Sequence, residues 1–352
     1  MLKGDKYGIH RVISPTGVLP QAASKVDNDM KKRYSNEIIC DVSALNIDSA
    51  SFTQIKNACD NDEQKMADLI LDTIAEKGKM QNRVTGSGGM FIGTVSYIGE
   101  ELADRDLKVG DKIISLVSLS LTPLYVDKIL KIHKSIDRVD IKGQAVLFES
   151  GLYIKMPSDL SEALTLAAMD VAGAPAQTAR LVKPGTSTLI LGAAGKAGIL
   201  CSYEARKQAG AAGNVVGIVY DEKEKQLLES LNLCNHVIVC DATKPSLVLE
   251  KALAVNNGKE YDLSICCVNV EKCEISAILP VKDNGIVYFF SMATSFTRSA
   301  LGAEGIGKDV TMIIGNGYTK GHAEFTLNCL RESTPIRTYY EQKICVRLRS
   351  TM

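Results

Sequence analysis

The stretch LILGAAGKAGILCSYEARKQAG, residues 189–210, carries three glycines spaced Gly192-x-x-Gly195-x-x-Gly198 between an apolar run and a helical pattern. Small residues at a strand-to-helix turn let the backbone approach a pyrophosphate, and a last glycine lets the helix pack close to the strand. The helix N-terminus, opened here by Lys196 and Ala197, adds free N–H groups and positive potential. In the common G-x-G-x-x-G pattern the second glycine stands one position earlier, where this chain has Ala194. The segment reads as a dinucleotide cradle rather than a plain turn. The next strand, NVVGIVY, ends at Tyr220-Asp221, where an acid can hydrogen-bond ribose hydroxyls. Asp221 also suits the N-cap of the helix DEKEKQLLESLNL, which would leave Val219 or Tyr220 against the ribose. A carboxylate at this place favours NAD by repelling a 2′-phosphate, while Lys223 and Lys225 leave NADP open.

Such a turn needs a parallel sheet to hold it, and the second half of the chain supplies the pattern. From about Leu160 strands alternate with helices: STLILG, NVVGIVY, HVIVCD, YDLSICCVN, GIVYFFS and VTMIIGNG are the strands. Their continuous apolar runs suit strands covered by helices on both faces. The helix LSEALTLAAMDVAGAPAQTARLV leads into this region. The first half reads as strands and turns, with EIICDVSALNID, FIGTVSYIG and KVGDKIISLVSLSL as strands. One helix, ASFTQIKNACDNDEQKMADLILDTIAEKG, interrupts them and stops at Gly78. The fold class expected is α/β: a Rossmann doubly wound parallel sheet plus a β-rich domain.

Composition narrows the function. The 352 residues suit two domains. They carry 41 basic and 41 acidic side chains and no Trp, which argues against nucleic acid or an anionic membrane as the main partner. No apolar segment reaches membrane-span length, and the charged N-terminus lacks a signal-peptide core, so a cytoplasmic protein is expected. The ten cysteines lie scattered, mostly in apolar runs, as reduced buried thiols do.

The order of these pieces resembles the medium-chain dehydrogenase/reductase family over nearly the full length. The likeness runs through ALNIDSASF, GGMFIGTVSYIGEE, DLKVGDKI, a helix ending in LVKPG, the glycine turn and the late GIVYFFS strand. It implies a GroES-like catalytic domain (residues 1–165 and 319–352), a Rossmann domain (residues 166–318) and a substrate between them. Zinc-binding members carry an early Cys and a Gly-His-Glu stretch. Here those places read LNID and Gly86-Ser87-Gly88-Gly89, and the four histidines, His10, His133, His236 and His322, lie near neither. No two cysteines are spaced C-x-x-C. The expectation is an enzyme with no metal. A closer likeness, through YGIHRVISPTGVLPQ, KMQNRVTGSGGMFIGTV, MDVAGAPAQTARLVKPG and GAEGIGKDVTMIIGNGYTK, is to zinc-free amine dehydrogenases of that family. It implies NAD-dependent oxidative deamination of a small diamino acid, releasing ammonium and NADH. Two rivals stand beside it: a zinc-free, NADPH-dependent quinone or enoyl reductase, and a non-catalytic nucleotide-binding protein.

Deamination needs a general base and groups that hold a carboxylate and a second ammonium. Without a metal, side-chain carboxylates are the natural candidates. Asp48 follows the strand of LNIDSAS on the catalytic face that the resemblance implies. Glu149 sits in VLFESGLY between the two parts. Asp170 interrupts a helix whose start faces the nicotinamide in the resembled fold. Each also has a structural reading: a turn former, a surface residue and a cap partner. Ser87 could hydrogen-bond substrate, and Arg83 could fork a carboxylate. Ligands of open α/β sheets lie at the carboxyl ends of strands. That makes Cys267, Val268, Asn269, Ser291, Met292 and Thr294 candidates for the nicotinamide. A homodimer is expected, paired through the late apolar strands.

Overall fold

The structure is a computed structural model and describes residues 2–291, 293–315 and 317–349, without the side chains of 343–349. Its contacts form two units. One runs to Leu166 and resumes at Lys343; the other is Ala167–Gln342.

The first unit contains strands β1 (Val12–Ser14), β2 (Lys25–Val26), β3 (Glu37–Asn46), β4 (Met90–Ile98), β5 (Lys112–Ser115), β6 (Leu124–His133), β7 (Arg138–Phe148) and β8 (Tyr153–Lys155). Its helices are α1 (Ser49–Ala58) and α2 (Glu63–Lys77), with α3 (Glu162–Met169) at its end. Six strands form an antiparallel sheet in the order β6-β7-β3-β4-β5-β8. One face of β3 buries Ile38, Cys40 and Val42 in a core with Phe52, Ile55, Met66 and Ile70 from α1 and α2. The sequence suggested one helix here; there are two. The break holds Asp60 and Asn61 at positive φ, and Asp62 caps α2 by accepting from Lys65 N. Asn and Asp tolerate this left-handed geometry and so can end a helix mid-pattern. Gly78 ends α2 at φ 70°, as expected of a left-handed C-cap. The hairpin β6–β7 was not anticipated, because its charged face hides the apolar alternation.

The second unit follows in chain order: α4 (Gly173–Leu181), β9 (Ser187–Leu191), α5 (Lys196–Ala209), β10 (Asn214–Val219), α6 (Glu222–Ser230), β11 (His236–Val239), α7 (Pro245–Val255), β12 (Tyr261–Cys266), α8 (Glu274–Ile278), β13 (Val281–Phe289), α9 (Phe296–Gly305), β14 (Val310–Ile314), α10 (His322–Glu332) and α11 (Thr334–Arg349, which runs past the end of this unit at Gln342). Its six strands are all parallel, in the order β11-β10-β9-β12-β13-β14. Strand order reverses between β9 and β12, and such a switch point is where an open α/β sheet binds its ligand. The long helix expected over residues 160–182 breaks at Asp170–Ala172 into α3 and α4.

Residues 319–342 were expected to return to the catalytic domain. Instead they group with the parallel sheet. The reason is packing: α10 buries Ala323, Leu327 and Leu330, and Thr326 Oγ1 donates to Ala172 O at 2.9 Å.

Candidate functional site

Two groups of residues carry the candidate chemistry, one in each unit.

In the second unit the glycine turn follows β9 directly. Gly192 stands at φ +75°, and a Cβ there would sit 3.1 Å from the backbone of Cys267 and Val268 at the end of β12. The turn thus lies in the switch-point crevice, beside a second strand end. A Cβ on Gly198 would meet Gly192 O at 2.1 Å and Ala193 C at 2.7 Å, so α5 approaches the turn as closely as backbone allows. Gly195 is the N-cap of α5 and gives no side-chain bond to it, leaving the first N–H groups facing outward. Ala194 and Ala197 are buried small residues.

Lys196, the first residue of α5, is fixed on two sides. Its ammonium pairs with Asp170 Oδ2 at 2.5 Å, and its carbonyl accepts from Tyr340 Oη at 2.5 Å. Tyr340 lies on α11 and is almost fully buried, which pushes its hydroxyl well above the usual phenol range. Asp170 was expected as a base; its carboxylate is committed to Lys196.

At the end of β10, Asp221 accepts from Glu224 N at 2.8 Å and caps α6. Tyr220 is exposed, and its N–H is held by Glu224 Oε2 at 2.9 Å. The N-cap reading of Asp221 is therefore realised in the structure. At the neighbouring strand ends, Cys267 N donates to Leu191 O, and Phe290 N and Ser291 N donate to Cys266 O. Asn269 is exposed; Val268, Ser291 and Thr294 are half-buried, with Ser291 Oγ accepting from Ala293 N. Cys267 Sγ donates to Cys201 Sγ at 3.9 Å, and this bond, with burial, pushes its thiol well above the ordinary range. Met292 lies outside the described residues.

In the first unit the LNID and GSGG stretches meet. A Cβ on Gly89 would sit 2.0 Å from Asn46 O and 2.8 Å from Asp48 N. Asp48 caps α1, its Oδ1 accepting from Ser51 N at 2.9 Å; its Oδ2 is buried and has no hydrogen-bond partner. Leaving a buried carboxylate oxygen unpaired costs on the order of 1–3 kcal/mol or more. Around it, Ser51 Oγ and Thr85 Oγ1 share a hydrogen bond of 2.5 Å. Buried Asn82 donates to Gln54 Oε1 at 2.7 Å and accepts from Val84 N and Thr85 N. Ser87 N donates to Thr85 Oγ1 at 3.3 Å. Ser51, Gln54 and Asn82 escaped the sequence reading; the signal was their place one turn past Asp48 and just before GSGG. Arg83 is exposed and paired with Glu76.

Glu149 is not with this group. β3 and β7 run antiparallel, with Glu37 opposite Phe148 and Asn46 opposite Arg138. Asp48 therefore follows one end of the sheet and Glu149 the other, roughly 30 Å away at strand rise. Glu149 accepts from Asn36 Nδ2 at 3.1 Å, and Arg105 binds its carbonyl. It serves the fold at that end and cannot share a site with Asp48.

Among the described residues, no group of three or more His, Cys, Asp or Glu side chains could hold a metal ion. No described helix is long and apolar enough to cross a membrane.

Comparison with known proteins fits these sites into a family. The model of the L-erythro-3,5-diaminohexanoate dehydrogenase N-terminal domain matches residues 10–157. L-erythro-3,5-diaminohexanoate dehydrogenase of Acetoanaerobium sticklandii is 63% identical over 97% of this chain and 99% of its own. The protein of the same name from Fusobacterium nucleatum subsp. nucleatum is 59% identical over the same shares. Among solved structures, Escherichia coli quinone oxidoreductase complexed with NADPH shares the fold, with a TM-score of 0.50 and 15% identity over 88% of this chain and 81% of that one. With near-complete coverage at such identity, the chain belongs to the L-erythro-3,5-diaminohexanoate dehydrogenase family.

Proposed function

We propose that the chain catalyses oxidative deamination of L-erythro-3,5-diaminohexanoate at carbon 3, giving 5-amino-3-oxohexanoate, ammonium and NADH. The observation that carries this reading is the 63% identity, end to end, with a protein named for that substrate. The likeness to a quinone reductase extends to the fold alone and does not favour that chemistry.

A dinucleotide fits the second unit. The turn at Gly192–Gly198 has the close backbone packing a pyrophosphate needs, and a neighbour of the same fold was solved with NADPH. When bound, the nicotinamide supplies the hydride acceptor. Gly192, Ala194, Gly195, Ala197 and Gly198 would line the pyrophosphate, with Lys196 as its charge partner. Tyr220 and Asp221 would border the adenosine ribose. Cys267, Val268, Asn269, Ser291 and Thr294 would border the nicotinamide. The carboxylate of Asp221 supports NAD over NADP, since a 2′-phosphate beside it would meet like charge. Asp48, with Ser87 on the adjoining loop, would face the diamino acid, and Arg83 would leave Glu76 to reach its carboxylate.

Among the described residues β14 ends the parallel sheet with no strand on its outer side, and its Ile314 is exposed. This supports a homodimer joined along that strand, which light scattering after size exclusion would test. The activity is tested by mixing protein, the diamino acid and either NAD or NADP. NADH and ammonia should appear in equal amounts; NADH without ammonia, or no turnover, rejects the reading.

A further inference from the structure

The carboxylate of Asp48 is split in its duties. Oδ1 is fixed by Ser51 N at the start of α1, while Oδ2 is buried without a partner. A buried acceptor without a donor asks for an explanation, and a ligand's N–H group supplies one. Among the described residues no hydrogen bond joins Oδ2 to a group that would pass a proton on: the nearby Ser51 and Thr85 hydroxyls share a bond with each other, and the Asn82 amide bonds Gln54. A carboxylate oxygen with no hydrogen-bonded relay behind it suits holding a permanent cation better than passing a proton on. In the proposed reaction the amine at carbon 3 must lose its proton before hydride leaves. The ammonium at carbon 5 stays charged throughout.

We propose that Asp48 Oδ2 is the binding site for the carbon-5 ammonium of the substrate, so that Asp48 selects a diamino acid over a simple β-amino acid and is not the general base. This rests on the substrate reading above, and the test separates the two.

Asp48→Asn keeps an N-cap of equal quality and removes the charge. Binding is measured by calorimetry, with NADH present so that nothing turns over, for two probes. One, 5-aminohexanoate, keeps the carbon-5 ammonium; the other, 3-aminohexanoate, lacks it. The expected result is a loss of at least tenfold in affinity for 5-aminohexanoate in the variant, with 3-aminohexanoate changed less than twofold. Equal affinities in both proteins would reduce Asp48 to a helix cap and overturn the proposal. A loss confined to 3-aminohexanoate would overturn it by placing the reacting amine on Asp48. Failure of the wild-type protein to bind 5-aminohexanoate would overturn it as well. Failure of the substrate reading shows separately, as wild-type protein that binds 5-aminohexanoate through Asp48 yet makes no NADH from the diamino acid.

Discussion

Lys196 and Asp170 form an ion pair, Nζ to Oδ2 at 2.5 Å, at the first residue of the helix that leaves the glycine turn. The pair puts Asp170 next to the glycine turn. If Asp170 holds Lys196 toward the pyrophosphate, Asp170→Asn should weaken NADH binding about three- to tenfold and change kcat less. That corresponds to about 0.6–1.4 kcal/mol, in the range of a partly exposed ion pair. Lys196→Gln should weaken binding by at least as much and flatten its salt dependence. Fluorescence titration of NADH at two ionic strengths reads both. A kcat loss of a thousandfold in Asp170→Asn with unchanged NADH affinity would instead make Asp170 the base.

Two glycines of the turn should differ in what alanine does to stability. A Cβ on Gly198 collides with Gly192 O at 2.1 Å, backbone that cannot step aside. Gly198→Ala should lower the melting temperature and abolish NADH binding together. At Gly195 the nearest atom would lie 3.4 Å away, and φ is −72°. Gly195→Ala should therefore fold with an unchanged melting temperature. If the pyrophosphate lies on this turn, the same variant still loses NADH affinity at least tenfold, because the methyl occupies the ligand's side. Normal affinity in Gly195→Ala would move the cofactor off the turn.

These outcomes depend on features of unequal legibility. The glycine turn, the alternating strands and the Gly78 stop were readable because each rests on neighbours in sequence: periodicity, a small-residue run, a left-handed cap. The separation of Asp48 from Glu149 was not readable. It depends on strand direction and on the β3–β7 register, which pairs residues about a hundred positions apart. The Lys196–Asp170 pair was hidden for the same reason, with one half in the turn between α3 and α4 and the other on α5. The polar group around Asp48 shows a middle case. LNID and GSGG were read as the places where zinc-binding members of the resembled family carry their ligands. Their mutual contact through Gly89 needed the fold. His322 was expected at the surface or in packing and is buried, with its ring edge-on to Tyr318 and its pKa lowered by burial.

At the end of β3 away from Asp48, the first unit contains a charge pair with both side chains fully buried. Arg11 donates Nε to Glu37 Oε1 at 2.9 Å and Nη2 to Glu37 Oε2 at 2.6 Å, a bidentate fork. Its remaining donors reach the carbonyls of Asp29 and Lys32. His10 adds a third bond to Glu37 through Nε2, while its Nδ1 accepts from Asp5 N. Removing one partner leaves a buried charge uncompensated. Arg11→Met or Glu37→Gln should each cost about 3–5 kcal/mol in urea denaturation. A loss below 1 kcal/mol would mean that water reaches the pair.

Lys79 gives the chain an alkaline signature. Its side chain is fully buried, and its ammonium donates to Pro20 O at 2.5 Å and Gln21 O at 3.2 Å, with no carboxylate as partner. Burial pulls its pKa down to about 8 from the ordinary 10.5. Between those values the unfolded chain holds a proton that the folded chain has released, so this group makes stability rise with pH across that window. Below about 8 both states are protonated, and the cost of burying the charge is present in full. Lys79 leads into the loop that ends at Gly89, and Gln81 Nε2 ties Gln21 O to Gly86 O. Lys79→Met should therefore remove the rise between about pH 8 and 10.5 expected in wild-type melting curves. It should also raise KM for the diamino acid more than it lowers kcat, because the 80–89 loop loses its anchor to residues 20–21. Melting curves every half pH unit, paired with kinetics at pH 7, check both; an identical alkaline limb in the variant would assign that rise to another group.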